Sequence, residues 1–226
     1  MAINEESYKA ISSELAGKAT LVAVSKTKPA SDISDLYNLG QRDFGENYVQ
    51  ELVDKQAELP ADIRWHFIGH LQSNKVKYIA PFVHLIHGID SARLLQEVNK
   101  QALRNDRVID VLLQIHIAQE ETKFGLDEQE LDDLIGQLSA DAGAWSNVRV
   151  QGLMGMASFT EDKDKIRKEF HYLRSLADKY AQQTIPNCSF NILSMGMSSD
   201  YAIALEEGST MVRVGSLLFG ARNYDK

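Results

Sequence analysis

Residues 20–29 read TLVAVSKTKP, and this stretch indicates the fold more directly than any other. Thr20–Val24 is an uninterrupted apolar and β-branched run, which is typical of a parallel strand buried on both faces. Pro29 cannot continue the strand, so Lys26 is predicted at its C-terminal end, where α/β folds bind ligands. A lysine that loses water there has a lowered pKa and can form a Schiff base. Lysines just beyond strands are more often solvated, so the rest of the chain decides between these interpretations.

The same pattern recurs along the whole chain. Apolar runs alternate with segments whose apolar residues recur at helical spacing, and no linker rich in proline, glycine or serine divides them. Eight such units in 226 residues favour a single-domain α/β protein, a (β/α)8 TIM barrel spanning residues 1–226. The predicted strands are 20–24, 43–47, 64–69, 83–87, 108–116, 148–154, 190–194 and 210–215; the predicted helices are 4–16, 31–40, 48–59, 73–80, 90–100, 127–138, 163–182, 200–205 and 216–222.

Composition narrows the class of protein. Hydrophobic residues make up 44% of the chain, enough for a sizeable core, and the net charge of −8 argues against non-specific nucleic-acid binding. The sequence has no leader-like N-terminus and no apolar run of about 18 residues, which predicts a cytoplasmic protein without a membrane span. Cys188 stands alone in the sequence, so we expect a structural thiol and no intrachain disulfide. A monomer is expected.

A barrel brings the C-terminal ends of its strands to one mouth, where the sequence offers two stretches suited to phosphate. Ser194–Asp200 reads SMGMSSD between a strand and a helix, and Gly215-Ser216 follows the last strand. Glycine lets backbone approach a ligand, helix N-termini present unpaired N–H groups, and serine hydroxyls donate hydrogen bonds. Barrels commonly hold phosphate after strands seven and eight, although either stretch alone could be an ordinary turn.

Arg213 is predicted to point into the barrel. It alternates with Val212 and Val214, so its side chain and the two valines lie on opposite faces of the strand. A buried arginine needs an acceptor, and a salt bridge to a carboxylate on a neighbouring strand is one solution. The other is a heteroaromatic nitrogen, which a permanently protonated guanidinium would keep unprotonated.

A combination of Lys26, the two stretches suited to phosphate and Arg213 resembles a pyridoxal 5'-phosphate (PLP) site. Longer stretches of the sequence resemble one protein family. These longer stretches are LVAVSKTKP (21–29), FGENYVQE (44–51), WHFIGHLQSNK (65–75), GLMGM (152–156), LSMGMSSDY (193–201) and VRVGSLLFGAR (212–222). They are similar to the pyridoxal phosphate homeostasis protein family, single-domain barrels related to the N-terminal domain of alanine racemase. The resemblance implies that Lys26 forms the Schiff base, Asn47 lines the cofactor, Ser198, Gly215 and Ser216 bind phosphate, and Arg213 meets the pyridine nitrogen.

The resemblance also implies a function. It favours a PLP-binding protein of intracellular vitamin B6 homeostasis that lacks robust catalysis and transiently meets apo forms of PLP-dependent enzymes. The alternative is an amino-acid racemase, which needs a second acid or base on the opposite cofactor face. In alanine racemase an additional C-terminal domain supplies that group, and this chain ends at Lys226, so we expect the group to be missing.

Several residues fall outside this interpretation. His116 and Gly155 depart from the family pattern, and neither is expected to touch the predicted cofactor contacts. His66, His70, His84 and His87 have no carboxylate at ligand spacing in the sequence, so structural histidines are expected rather than a metal site. Lys123 could bind a substrate carboxylate, although lysines in charged loops are more often solvated.

Overall fold

A computed structural model describes residues 3–118 and 124–220 of the chain. In these ranges, eight parallel strands close in sequence order into a barrel, with helices packed around it. The strands are β1 Thr20–Val24, β2 Asp43–Glu46, β3 Arg64–Phe67, β4 Leu85–Ile89, β5 Ile109–Ile115, β6 Val148–Gly155, β7 Cys188–Met197 and β8 Met211–Val214. The helices are α1 Glu5–Leu15, α2 Ala30–Asn38, α3 Val49–Glu58, α4 Val76–Ile79, α5 Ala92–Arg104, α6 Glu128–Ala140, α7 Lys163–Ala181, α8 Tyr201–Glu206 and α9 Ser216–Phe219.

The predicted (β/α)8 barrel is confirmed, while the assignment of all of residues 1–226 to one domain stays a prediction. Four of the nine helices named above begin at a residue whose side chain caps the helix. Ser91 caps α5 by accepting a hydrogen bond from the amide of Leu94, and Asp127 with Glu130 forms a capping box at α6. No helix in the described ranges is both long and apolar enough to cross a membrane.

Several predicted boundaries were wrong, most clearly those of β7, which spans Cys188–Met197 rather than 190–194. Helix α2 begins at Ala30, directly after Pro29, rather than at a cap formed by Ser31 or Asp32. Strand β4 begins two residues later than the predicted 83–87. The carbonyl of Val83 accepts a hydrogen bond of 2.8 Å from the Arg107 guanidinium, which takes this acceptor away from the strand ladder. Helix α9 is shorter than predicted, and residues 221 and 222 of that prediction lie outside the described ranges.

The barrel interior contains polar groups as well as apolar ones. Between sheet and helices lies a large apolar core that includes Val212 and Val214, as their alternation with Arg213 predicts. Inside the barrel is a smaller apolar cluster formed by Val22, Leu85, Leu112, Met154 and Met211. The buried polar and charged residues of the chain include Asp43, His66, His87, Ser194 and Arg213. A closed barrel interior excludes water, so these groups must satisfy one another.

The pairing of β6 with β7 shifts register at Gly152. Val150 pairs with Cys188, whereas Gly152 pairs with Ile192, so β7 accommodates extra residues between the two pairs. Gly152 has a φ of +153°, and a Cβ atom there would lie 1.8 Å from the carbonyl oxygen of Ile192. Only glycine permits this close approach of two backbones.

Gly152→Ala should therefore destabilise the barrel strongly. The added methyl group collides with backbone rather than with a movable side chain, so β6 and β7 must separate locally. Thermal and urea unfolding would measure a lower midpoint. Gly136→Ala is the matched control, because Gly136 lies in α6 with nothing within 4 Å of its Cβ position, and it should be stabilised by about 0.5–1 kcal/mol. Equal stability of the two variants would contradict this account of the register shift.

Candidate functional site

A cavity of about 610 Å³ opens at the C-terminal ends of the strands. All six residues predicted from sequence line it: Lys26, Asn47, Ser198, Arg213, Gly215 and Ser216. Apolar side chains complete the walls, including Val24, Ile68, Met156, Phe159 and Met197. Its volume lies within the range of roughly 300–1,000 Å³ typical of small-molecule sites. Lys123 lies outside the described residues.

Lys26 follows β1 and is half-buried, and the backbone on both sides of it is fixed. Before it, the carbonyl of Ser25 accepts a hydrogen bond of 2.8 Å from Lys55 Nζ. After it, the Thr27 amide donates to Glu51 Oε1 at 2.6 Å. Thr27 has a φ of +64°, a conformation that non-glycine residues rarely adopt without support. The anchored neighbours hold the predicted Schiff-base lysine at the rim of the cavity.

These anchors belong to a charged cluster outside the barrel, which the sequence analysis missed. Lys55 Nζ also donates to Glu46 Oε1 at 2.7 Å and to Glu51 Oε1 at 2.6 Å. Ser25 Oγ donates to the same Glu46 oxygen at 2.6 Å. The i,i+4 spacing of Glu51 and Lys55 was a visible signal, but the contact of both with the Lys26 loop depends on tertiary structure.

Asn47 lies at the end of β2 and presents an unsatisfied acceptor. Its Oδ1 atom is buried and has no hydrogen-bond partner among the described residues. Gly69 packs directly on it: a Cβ atom at Gly69 would lie 2.4 Å from the Asn47 carbonyl oxygen. A buried acceptor without a donor is costly, so the position favours a ligand that supplies one.

The two stretches predicted to bind phosphate meet in the structure. The Gly215 amide donates to Ser198 Oγ at 3.2 Å, which joins the loops after β7 and β8. Ser216 begins α9, whose first amides have no acceptor inside the helix. Asp200 Oδ1 accepts from the Met197 amide at 2.6 Å and holds the first loop in place. Hydroxyl and amide donors are therefore concentrated at one side of the cavity.

Arg213 is buried and bonded entirely to neutral oxygens. One terminal nitrogen donates to the Ser194 carbonyl oxygen at 2.8 Å and to Ser194 Oγ at 2.6 Å; the other donates to the Gly155 carbonyl oxygen at 3.1 Å. No salt bridge to Arg213 is present within residues 3–118 and 124–220. Burial lowers the pKa of Arg213 to about 10, so it stays protonated at neutral pH. The expectation that Gly155 lies away from these contacts was wrong, because its backbone carbonyl holds the arginine.

Comparison of the sequence with those of known proteins identifies the family of this chain. The family described as the alanine racemase N-terminal domain matches residues 4–223. A pyridoxal phosphate homeostasis protein from Aquifex aeolicus is 42% identical over 207 residues, covering 91% of this chain and 88% of that protein. Its namesake from Escherichia coli K12 is 40% identical over 211 residues, covering 92% and 87%. The chain belongs to the pyridoxal phosphate homeostasis protein family.

Solved structures agree with this membership. PipY of Synechococcus elongatus PCC7942, at 37% identity, has been solved without PLP and with PLP bound, and its TM-scores to this chain are 0.88 and 0.86. Each comparison covers 95% of this chain and 99% of PipY. Alanine racemase from Bartonella henselae is 14% identical with a TM-score of 0.70, covering 97% of this chain and 60% of the racemase. That likeness concerns the fold alone.

In this member of the family, a chain of hydrogen bonds continues from Arg213 through the barrel. Ser194 Oγ lies 3.1 Å from His87 Nδ1, His87 Nε2 lies 2.9 Å from His66 Nδ1, and His66 Nε2 lies 3.0 Å from Asp43 Oδ1. We call these five residues the interior chain. Arg213 can only donate and the ionised carboxylate of Asp43 can only accept. With both imidazoles neutral, every bond in the interior chain therefore points from the arginine toward the aspartate.

Two pKa shifts support this arrangement. Burial holds the pKa of His87 well below its ordinary value, and the nearby His66 and Arg213 lower it further. The pKa of Asp43 is lowered by its hydrogen bonds to Arg64 and His66, which outweigh the opposing effect of burial. The expectation that these histidines lack a carboxylate was therefore wrong, since Asp43 approaches from the neighbouring strand.

Glu46, in the charged cluster, makes the stability of the protein depend on pH. Burial raises the pKa of Glu46 to about 7, although Lys55 and Ser25 oppose the shift. Its second oxygen, Oε2, has no hydrogen-bond partner among the described residues. Between the ordinary carboxyl pKa of 4.5 and about 7, the folded state retains a proton that the unfolded state has lost. This contribution to stability is complete below the lower value and is lost as pH rises through the higher one.

Glu46→Gln mimics the protonated carboxyl and should remove this pH dependence. Relative to the variant, the wild type should lose on the order of 3 kcal/mol of unfolding free energy between pH 4.5 and 8. Urea unfolding of both proteins across that range would measure the difference. Glu58→Gln, at an exposed position on helix α3, which also carries Lys55, is the control and should follow the wild type. A constant difference between wild type and Glu46→Gln would show that Glu46 does not titrate in this range.

Proposed function

We propose that the chain binds pyridoxal 5'-phosphate in the cavity at the C-terminal ends of the strands, with Lys26 forming a Schiff base. The observation that carries this proposal is the convergence on one cavity of an anchored lysine, a group of phosphate donors and a buried arginine. The PLP-bound structure of PipY, a relative at 37% identity, supports it. The proposed role is intracellular vitamin B6 homeostasis.

The residues of the cavity fit the cofactor group by group. Ser198 and the amides of Gly215 and Ser216 would hold the phosphate, since hydroxyl and amide donors suit a doubly charged anion. Asn47 has a buried oxygen without a donor, which a ligand group could supply. Arg213 would meet the pyridine nitrogen.

When bound, PLP supplies an electrophilic aldehyde and a pyridine ring that can accept electrons. Arg213 would work against the second property, because a protonated guanidinium that donates to the ring nitrogen would keep it unprotonated. Ser194 and Gly155 accept hydrogen bonds from both terminal nitrogens of Arg213 and so fix its orientation. The chain's own residues therefore favour holding the cofactor over activating it.

A carrier fits the lining of the cavity better than a racemase. Among the described lining residues, Lys26 and Arg213 are the ionisable side chains. A racemase needs acid–base groups on both faces of the cofactor. Arg213, whose pKa burial lowers to about 10, is a poor acid or base at neutral pH. Transfer of PLP to apo-enzymes, a monomeric state and a cytoplasmic location stay predictions.

Lys26→Ala should abolish covalent capture of PLP. Borohydride reduction of the PLP-loaded wild type should fix one pyridoxyl group, and mass spectrometry of its peptides should locate it on Lys26. Lys28→Ala is the matched control, because Lys28 is two residues away and donates to the Phe219 carbonyl oxygen at 2.8 Å. It should keep the adduct. A pyridoxyl group on another lysine of the wild type would contradict the assignment.

The carrier role predicts negligible exchange of the Cα proton of an added amino acid. PLP-loaded protein would be incubated with L-alanine in D2O and followed by NMR, with an alanine racemase as the positive control. Deuterium incorporation or D-alanine formation on the order of 1 per second or faster would favour the racemase alternative. Restored activity of an apo-enzyme mixed with the PLP-loaded protein, without exchange, is the result expected of a carrier.

A further inference from the structure

The N-terminal end of the barrel has a cavity of its own, which the proposed function does not use. Its volume is about 380 Å³, and its walls include Asp43, Arg64, His66, His84 and Asp110. Most of these residues lie at or beside the first residues of their strands, at the end opposite Lys26. We propose that Asp43, His66 and His84 bind a divalent transition-metal ion here, with Zn²⁺ as the best-suited ion.

The three ligand atoms are already close together. One atom from each of Asp43, His66 and His84 lies within 4.8 Å of the others, and His66 Nε2 is 3.0 Å from Asp43 Oδ1. Zinc bonds to nitrogen and oxygen are about 2.0–2.2 Å long, so the ligands must draw in slightly around an ion. His84 is exposed and can make that adjustment, whereas His66 and Asp43 are buried and fixed.

The identity of the ligands selects the class of metal. Two imidazoles and one carboxylate suit zinc and its first-row neighbours, whereas magnesium and calcium prefer oxygen ligands alone. Three protein ligands leave a position for water, which the cavity has room to hold.

His66 already contacts a partner for the outer hydrogen bond that metal-binding histidines make. Such a histidine binds the ion through one nitrogen and donates a hydrogen bond from the other, which fixes its ring. An ion on His66 Nε2 leaves the proton on Nδ1, which then donates to His87 Nε2, 2.9 Å away. His87 in turn carries its proton on Nδ1 and donates to Ser194 Oγ. The two histidines permit this reversal, because each can donate from either nitrogen, and Ser194 Oγ then accepts from both Arg213 and His87.

Arg64 is the residue that competes with the ion. Its Nε donates to Asp43 Oδ1 at 2.7 Å, and a terminal nitrogen bonds to Oδ2 of the same carboxylate. The Arg64 side chain is 48% exposed, so it can release Oδ1 to a metal and keep the contact with Oδ2. Its positive charge nonetheless opposes the ion. Removing that charge should tighten metal binding, a direction that general damage to the fold would not produce.

The test is a Zn²⁺ titration of the full chain, without a histidine tag, in competition with a chromophoric chelator. The wild type should bind one ion, and His84→Ala should bind it about tenfold more weakly or worse. Arg64→Gln should bind it tighter by on the order of fivefold or more. His171→Ala is the matched control, because that histidine is 74% exposed on another surface, and its affinity should equal the wild type's.

Cobalt provides an independent measurement. Co²⁺ added to the wild type should produce visible d–d bands of a nitrogen- and oxygen-ligated ion, and His84→Ala should lose them while His171→Ala keeps them. Zinc affinity of the wild type that is no higher than that of His84→Ala overturns the proposal, as does Arg64→Gln that binds no tighter than the wild type. Neither result depends on PLP, so the outcome is separate from that of the proposed function.

Discussion

A guanidinium inside a closed barrel has to be solvated by the protein itself, and Arg213 places this demand at the centre of the structure. Carbonyl oxygens of β6 and β7 and one serine hydroxyl provide the acceptors. Along the series of hydrogen bonds that begins at Arg213, the first negative charge is that of Asp43, which is reached through Ser194 and two imidazoles. Aligned hydrogen bonds between opposite charges polarise one another, so the interior chain stabilises both ends. The apolar cluster beside it keeps water out and makes this alignment necessary.

The cavity is held from both sides of the sheet. Inside the barrel, the interior chain sets the position of Arg213; outside it, Lys55 with its two glutamates fixes the backbone around Lys26. The two sets share no hydrogen bond among the described residues. One reactive amine and one guanidinium are thus brought to the same cavity by separate supports. This separation lets the loop of Lys26 carry backbone strain at Thr27 without disturbing the arginine.

The sequence predicted those features that follow from patterns among residues close together in the chain. The alternation of apolar runs with helical spacing predicted the barrel, and strand-end positions together with the family resemblance predicted six residues that line one cavity. Three features escaped it for a common reason. The contact of Gly155 is made by its backbone, the carboxylate beside His66 comes from another strand, and the burial of Glu46 depends on the helix packed over it. None of these is a property of neighbouring residues in the sequence.

The interior chain has a consequence for how this protein can change over evolutionary time. Each of its middle members donates one hydrogen bond and accepts another, so an apolar replacement of Ser194, His87 or His66 would leave two neighbours unsatisfied in a dry interior. Substitutions there should be inherited as sets rather than singly. Where a relative lacks one of these residues, the adjoining positions should differ as well. Ion pairs on the outer surfaces of the helices, such as Lys179 with Asp132, are exposed to water, so substitutions there should proceed one position at a time.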